Sequence, residues 1–286
     1  MVRFKLSHFV LSFFITVGLS IKSLTLDGVE QEFCPHWKKL QNGICYIDTL
    51  APEKSILNDS KLFILKIDPN KCSFSLLCSS ETKGGNLTAP QWAINFKETI
   101  IVNAGMFNMA NQRVNKGYLK NYKHLNNPQL NKSYNVMMAM NPIRDSDKSM
   151  IISDMTMGNL ENIRLNYYSL CQGMRMIDGN GAPLNWDKRP GQSCSMVIGA
   201  TDLAGNIYFA FTRSPYTHQQ MINFMLQIIP AIRTTVYLEG GPEASVYIQT
   251  GDTIISKYGS YVSKTFANDA NDHFWKLPNV IGIHPK

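Results

Sequence analysis

Three apolar runs in this chain stop in the same way, on polar side chains beside glycine. "IIVNAGMF" ends its run at Asn103 and Gly105, "GMRMIDGNG" carries Arg175 and Asp178, and "VYLEGGPEAS" sets Glu239, Gly240, Gly241, Glu243 and Ser245 close together. The residue types are chemically coherent. Arginine offers a planar fork to phosphate or carboxylate, Asp178 and Glu239 can serve as acid, base or nucleophile, and glycine lets backbone N–H groups meet a ligand. Polar groups placed where strands stop can converge on one crevice while the sheet holds them rigid. Each also has a plainer reading: Asn103 as a turn cap, Asp178-Gly179 as an ordinary turn pair, Arg175 in a structural ion pair.

Other chemistries find little support. The six histidines are scattered without metal-ligand spacing, and His218 is expected to face solvent near the first turn of a helix. Ser195 lacks the GxSxG setting of a nucleophile elbow. No cofactor is expected. A divalent cation bridging Asp178 and Glu239 to a phosphate is chemically open, because carboxylate and phosphate oxygens suit hard cations, but no loop demands one. The formal charge of +7 falls by two if Arg3 and Lys5 leave with a leader. The basic residues are dispersed, with Lys38–Lys39 the densest pair, so nucleic acid is not indicated.

The elements that must position these residues are mostly strands. Leu62 to Asp68 and Cys72 to Ser79 read as a hairpin joined by "PNK", Pro90 to Lys97 as a short helix, and Thr99 to Asn103 as a buried strand ending in a glycine turn. Asn108 to Ser133 reads as a long surface excursion. Strands return at Tyr134 to Asn141, at Tyr167 to Gly179 with a break at Gly173, and on both sides of the turn "TDLAG". One helix is clear: Ser214 as cap, Pro215 at the first helical position, an apolar face of Met221, Ile222, Met225, Ile228 and Ile229, and a stop before Pro230. It leads into the strand "TTVYLEG". The expected fold class is α+β, a mixed β-sheet core with a few packed helices in a single domain.

Residues 1–20 carry Arg3 and Lys5 ahead of the apolar run Leu6 to Ser20, a secretory signal pattern. That run is shorter than the roughly 20 residues a membrane-spanning helix needs, so no stable span is expected after its removal. Residues 21–61, with Cys34 and Cys45, read as a disulfide-stapled entry segment, and 62–286 as the main domain. An even six cysteines behind an export signal favour disulfides over zinc, and a periplasmic or extracellular location. If "CSFSLLC" is one strand, Cys72 and Cys78 stand roughly 20 Å apart, too far to bridge each other, so they pair elsewhere or a turn intervenes. Nothing in the sequence fixes an oligomeric state.

Taken in order, the motifs resemble the phosphodiester glycosidase family. "VNAGMF" is similar to that family's asparagine–glycine turn, "VNKGYLKN" to its following glycine segment, "GMRMIDGNG" to its arginine–aspartate strand, "KRPGQSCSMVIGATDLAGNIYFAFT" to its paired strands, and "YLEGGPEASVY" to its acidic glycine signature. The closing "LPNVIGIHPK" resembles its terminal strand. The likeness spans roughly Leu62 to Lys286 and is nearest to bacterial exported, exopolysaccharide-related members. It departs from the family at Glu239, where the pattern has aspartate, and at Pro242 and Glu243, where it has small residues. The resemblance implies hydrolysis of a sugar-1-phosphodiester at the sugar carbon, with Glu239 as nucleophile or base and Asp178 orienting the sugar or sharing the acid–base role. Arg175, or else Arg189 or Arg213, would bind phosphate. Asn103, Gly105, Gly240 and Gly241 would line the pocket, with Glu243 and Ser245 beside the substrate. Two alternatives stay open: a non-catalytic carbohydrate or envelope-polymer binding protein on the same scaffold, and an ordinary glycosidase using Asp178 and Glu239.

Overall fold

The computed structural model describes residues 33–158, 160–186 and 192–286. The expected leader, most of the front of the entry segment, and Arg189 lie outside the described residues. Along Cys72–Cys78, buried and half-buried positions alternate without a break, the two-residue period of a strand covered on one face. Strands are the commonest regular element among the described residues.

In chain order the strands are β1 (Lys38–Gln41), β2 (Ile44–Leu50), β3 (Lys61–Ile67), β4 (Cys72–Cys78), β5 (Ile100–Asn103), β6 (Phe107–Asn108), β7 (Asn111–Asn115), β8 (Leu119–Asn121), β9 (His124–Asn127), β10 (Val136–Pro142), β11 (Met150–Asp154), β12 (Tyr167–Ile177), β13 (Ser193–Asp202), β14 (Ile207–Thr217), β15 (Ile232–Gly240), β16 (Ser245–Thr250), β17 (Thr253–Tyr258) and β18 (Asn279–Pro285). The helices are α1 (Ala89–Phe96), α2 (Leu160–Asn166) and α3 (His218–Ile228). The larger sheet has eleven strands in the order β1-β2-β3-β14-β13-β15-β12-β10-β11, with β8 on β12 and β9 on β8. The smaller has five, β17-β16-β5-β18-β4, and β6 pairs with β7 in a separate ribbon.

One apolar cluster joins the two sheets. It takes Phe74, Val102 and Val246 from the smaller sheet and Val136, Val236 and Leu238 from the larger. A second cluster lies on the larger sheet against α3, where Met221, Ile222 and Met225 meet Met176, Ile198 and Tyr237. Helix α1 packs on the smaller sheet through the buried Trp92, whose indole N–H donates to Leu277 O at 3.1 Å. Its start is fixed by a capping box in which Thr88 and Gln91 each bond the other's backbone N–H.

Several expectations are corrected. The fold is sheet-dominated, 48% strand with three helices, and the described pairings are all antiparallel rather than mixed. Among the described residues no β-α-β crossover delivers a parallel neighbour. β3 and β4 form no hairpin: β3 pairs with β2 and β14, β4 pairs with β18, and the turn between them carries the chain from one sheet to the other. The excursion after Asn108 folds into β7 and the β8–β9 hairpin. β12 runs unbroken through Gly173, where a Cβ would stand 2.4 Å from Val236 Cγ2, so the glycine serves close packing. α3 starts later than expected because Ser214 and Pro215 remain in β14 and Thr217 forms a capping box with Gln220. Cys34 and Cys45 form a disulfide, while Cys72, Cys78, Cys171 and Cys194 are buried thiols. β1 and β2 of the entry segment are integral to the larger sheet.

The chain passes from the larger sheet to the smaller a second time where β15 leads to β16. Asn103, at the end of β5 and almost wholly buried, clamps this crossing: its Nδ2 donates to Glu243 O at 2.9 Å, and Ser245 N–H donates to its Oδ1 at 2.7 Å. Asn103→Ala leaves both backbone groups unpaired away from water. The expected loss is about 3 kcal/mol of unfolding free energy, read from urea denaturation, and a change below about 0.5 kcal/mol would contradict the clamp.

Candidate functional site

The site is built where β15 ends. The register of β13 on β15 passes from Ile198↔Tyr237 to Val197↔Glu239, so Leu238 is an extra residue, a β-bulge of the kind that re-aims side chains beside active sites. Tyr237 belongs to the cluster under α3 and Leu238 to the core between the sheets. Gly240 follows in extended conformation; a Cβ there would stand 2.3 Å from Tyr237 Oη and 2.9 Å from Cys194 Sγ. Gly241 has φ 74, in the left-handed region that favours glycine. Gly241–Glu243 then form one 3₁₀ turn closed by Ala244 N–H on Gly241 O at 3.1 Å. The turn folds Glu243 back toward Glu239.

Both acids are half-buried. Burial, reinforced by the nearby Glu243 carboxylate, raises the Glu239 pKa to about 8, against the opposing pull of Gly240 N–H and Lys116. Gly240 N–H donates to Glu239 Oε1 at 3.1 Å. Burial also raises the pKa of Glu243. Around them the titratable groups are held neutral. The Tyr134 phenol is pushed up to about 12 by burial and then by Glu239, and its hydroxyl lies 3.4 Å from Met106 Sδ. Tyr237 is raised further by burial, the Cys194 thiol and Glu239, while burial lifts Cys194 itself to about 12. His218 does not face solvent. Its ring stacks on Trp186 at 4.5 Å and meets Tyr237 edge-on at 4.6 Å, burial lowers its pKa to about 4, and its Nε2 is buried without a hydrogen-bond partner.

Of the sequence-predicted residues, the fold gathers Glu239, Gly240, Gly241, Glu243, Ser245 and Asn103. Gly105 stands by the adjoining loop with φ 144, and a Cβ there would touch Cys171 Sγ at 3.5 Å and Asn115 Oδ1 at 3.6 Å. Arg175 and Asp178 do not join Glu239. β12 and β15 are antiparallel neighbours, so the C-terminal end of one lies beside the N-terminal end of the other. Arg175 pairs with Val236, three residues from Glu239, or about 10 Å along the strand; Ile177 pairs with Thr235, which puts Asp178 roughly 13 Å or more away. The Arg175 guanidinium is bound at 2.6 Å to Asp154, whose carboxylate also accepts from Thr156 and Gly179 N–H. Asp178 caps its own turn, accepting from Asn180 and Ala182 N–H at 2.9 and 2.8 Å. Arg213 is engaged by Asp269 and by the carbonyls of Tyr258 and Asn271.

Sequence reasoning missed Lys116, Tyr134, Trp186 and the role of Asp154. Asp154 had a readable signal, an acid at the end of the alternating run "MIISD" before Thr156 and Gly158. Lys116 sits within "VNKGYLKN" but carries no local mark of a site. No group of three or more histidine, cysteine, aspartate or glutamate side chains suited to a metal occurs among the described residues.

No family model and no curated protein matches this sequence. Solved structures do. A hypothetical protein from Synechocystis superimposes with a TM-score of 0.59 at 12% identity over 86% of this chain, which spans 62% of that protein's length. The catalytic domain of zebrafish N-acetylglucosamine-1-phosphodiester alpha-N-acetylglucosaminidase, auto-inhibited by its pro-peptide, gives 0.57 at 12% identity, covering 85% of this chain and 84% of that one. An exported protein of Burkholderia pseudomallei gives 0.49 at 9% identity, covering 79% and 74%. The likeness is one of fold. The relation to a phosphodiester glycosidase is distant and structural. No described helix is long and apolar enough to cross a membrane.

The acids leave a signature in stability. Because the folded pKa of Glu239 stands above its ordinary 4.5, the folded state holds the extra proton between about 4.5 and 8. The contribution is complete below 4.5 and is lost as pH rises through 8. Urea denaturation from pH 5 to 9 is expected to show wild-type stability falling by up to about 1.4 kcal/mol per unit in that window, while Glu239→Gln removes most of the slope. Parallel curves for the two proteins would show that Glu239 titrates normally.

Proposed function

We propose that this protein is an exported hydrolase that cleaves a sugar-1-phosphodiester at the sugar carbon, releasing the sugar and a phosphomonoester. The observation that carries the reading is the pair Glu239 and Glu243, drawn together by a glycine turn in a half-buried site and raised in pKa together. The fold shared at a distance with an N-acetylglucosamine-1-phosphodiester glycosidase, and the ordered motifs that resemble that family, supply the substrate class. Export accords with the signal pattern at residues 1–20 and with the Cys34–Cys45 disulfide.

The chemistry requires little. A phosphomonoester has a second pKa near 6 and leaves as a stable anion, so the C1–O bond to phosphate breaks without the strong general acid an ordinary glycoside needs. Glu239 in its ionised form takes a proton from water as the water oxygen bonds to C1, or attacks C1 itself ahead of water; in either case the electron pair of the broken bond departs with the phosphate. The Glu243 carboxylate beside it raises the proton affinity of Glu239. Lys116, the cation whose field reaches Glu239, attracts the phosphate. Arg175 braces the neighbouring strand ends through Asp154, and Asp178 shapes its turn. Gly240 and Gly241 let the turn pack tightly on Tyr237, Cys194 and Val262, which fixes where the two acids stand.

Incubation with a sugar-1-phosphodiester, following free sugar and phosphomonoester together, tests the reading. Both products are expected in equal amounts, with kcat/KM rising with pH as Glu239 ionises near 8. Glu239→Gln should cost about a hundredfold or more, and Lys116→Ala should raise KM more than it lowers kcat. Binding of the diester without release of either product would instead identify a carbohydrate-binding protein.

A further inference from the structure

A second groove opens at the other end of the sandwich. Tyr134, beside Glu239, precedes β10, whereas Asn141 lies near the far end of that strand, roughly 23 Å away at the usual rise per residue. There a cavity of about 460 Å³ is lined by Tyr122, Tyr168, Asn141, Asp145 and Asp147, with Lys286 also present. The tyrosine rings lie nearly parallel, 5.3 Å apart at 18°, and are 50% and 42% exposed. Two large rings stacked on each other and open to solvent form a flat apolar plate of a kind that soluble proteins seldom leave without use.

The backbone adds an independent observation. Tyr122 is the first residue of the two-residue loop between β8 and β9, where Asn121 pairs with His124, and it has φ 49. Hairpin loops with positive φ at that position favour glycine, and a bulky residue held there stores strain of the type found at binding and active sites. Asn141 too has positive φ, 57. Its Nδ2 donates to Ser169 Oγ at 2.8 Å, and Ser169 Oγ donates to Asn121 Oδ1 at 2.7 Å, so the amide is fixed in orientation. Asp147 is likewise held by Arg144 at 3.2 Å.

We propose that this groove is a glycan-binding site, separate from the Glu239 hollow, that takes a neutral or N-acetylated oligosaccharide. The tyrosine plate matches the C–H faces of pyranose rings, while Asn141 and Asp147 offer held acceptors to sugar hydroxyls and Asp145 a further one at the rim. Asp145 and Asp147, set against Lys286 and the Arg144 that holds Asp147, leave no net positive charge to favour a phosphate or nucleic-acid ligand. The site stands whether or not the chain hydrolyses a phosphodiester.

The test uses the full chain on an array of neutral and N-acetylated oligosaccharides, followed by calorimetric titration with the strongest binder. Wild type should bind, and Tyr122→Gly and Tyr168→Ala should each weaken binding about tenfold, the scale of one aromatic contact. Tyr122→Gly should melt at the same temperature as wild type or higher, because glycine relieves the positive φ; lost binding with retained stability is an outcome that misfolding does not give. Turnover of a small diester, where present, should be unchanged by Tyr168→Ala. The proposal is overturned if no oligosaccharide binds, if both variants bind as tightly as wild type, or if only a cationic peptide is captured through the aspartates.

Discussion

The passage of the chain from the larger sheet to the smaller at Gly241–Ala244 is the constraint on which the site depends. Crossing there within four residues requires a left-handed Gly241, a Gly240 without a Cβ where Tyr237 and Cys194 pack against it, and a partner for the backbone groups that leave the ladder. Asn103 provides that partner from a strand of the second sheet. The buried amide does the work of two ladder hydrogen bonds where neither sheet can supply them. Glu239 and Glu243 flank the crossing, so the geometry that lets the chain change sheets also brings two acids together.

A layer of neutral polar groups lies next to the acids. Tyr237, Cys194, His218 and Trp186 pack at the end of α3, each with its charged form disfavoured by burial or with no charge to lose. None of them can neutralise a carboxylate, and in an apolar setting the repulsion between Glu239 and Glu243 is weakly screened. Lys116 is exposed and pulls only partly against it. Lys116 is thus the cation whose pull on Glu239 opposes the two acids' mutual repulsion.

Local pattern made some of this legible. The strand "TTVYLEG", the acids around its glycines, and α1 with its Thr88–Gln91 box could all be read from residues a few positions apart. The true start of α3 was also written in the chain, as Thr217 and Gln220, but Ser214-Pro215 is the more conspicuous start signal and conceals it. What could not be read was strand order. Nothing near Asp178 or Glu239 says that β12 and β15 are antiparallel neighbours, and that one fact separates two acids whose motifs look alike. The same blindness explains the mistaken β3–β4 hairpin, since a tight turn between two strands looks the same whether it joins partners or crosses between sheets. Pairing of Cys34 with Cys45, and burial of the other thiols, likewise follows from the three-dimensional arrangement.

Sites of this kind are kept at some cost to the fold. A carboxyl group held near pKa 8 is one whose ionised form the structure disfavours, so raising the pH to ionise Glu239 also weakens the fold around it. His218 acts in the opposite sense: its folded pKa is lowered, so its contribution is lost as pH falls below 6.5 toward 4. The two together confine the most favourable conditions to a band between those limits. Replacing Glu239 with a residue content to be buried would widen the band and remove the carboxylate placed at the end of β15 to accept a proton, which is the sense in which stability and activity compete here.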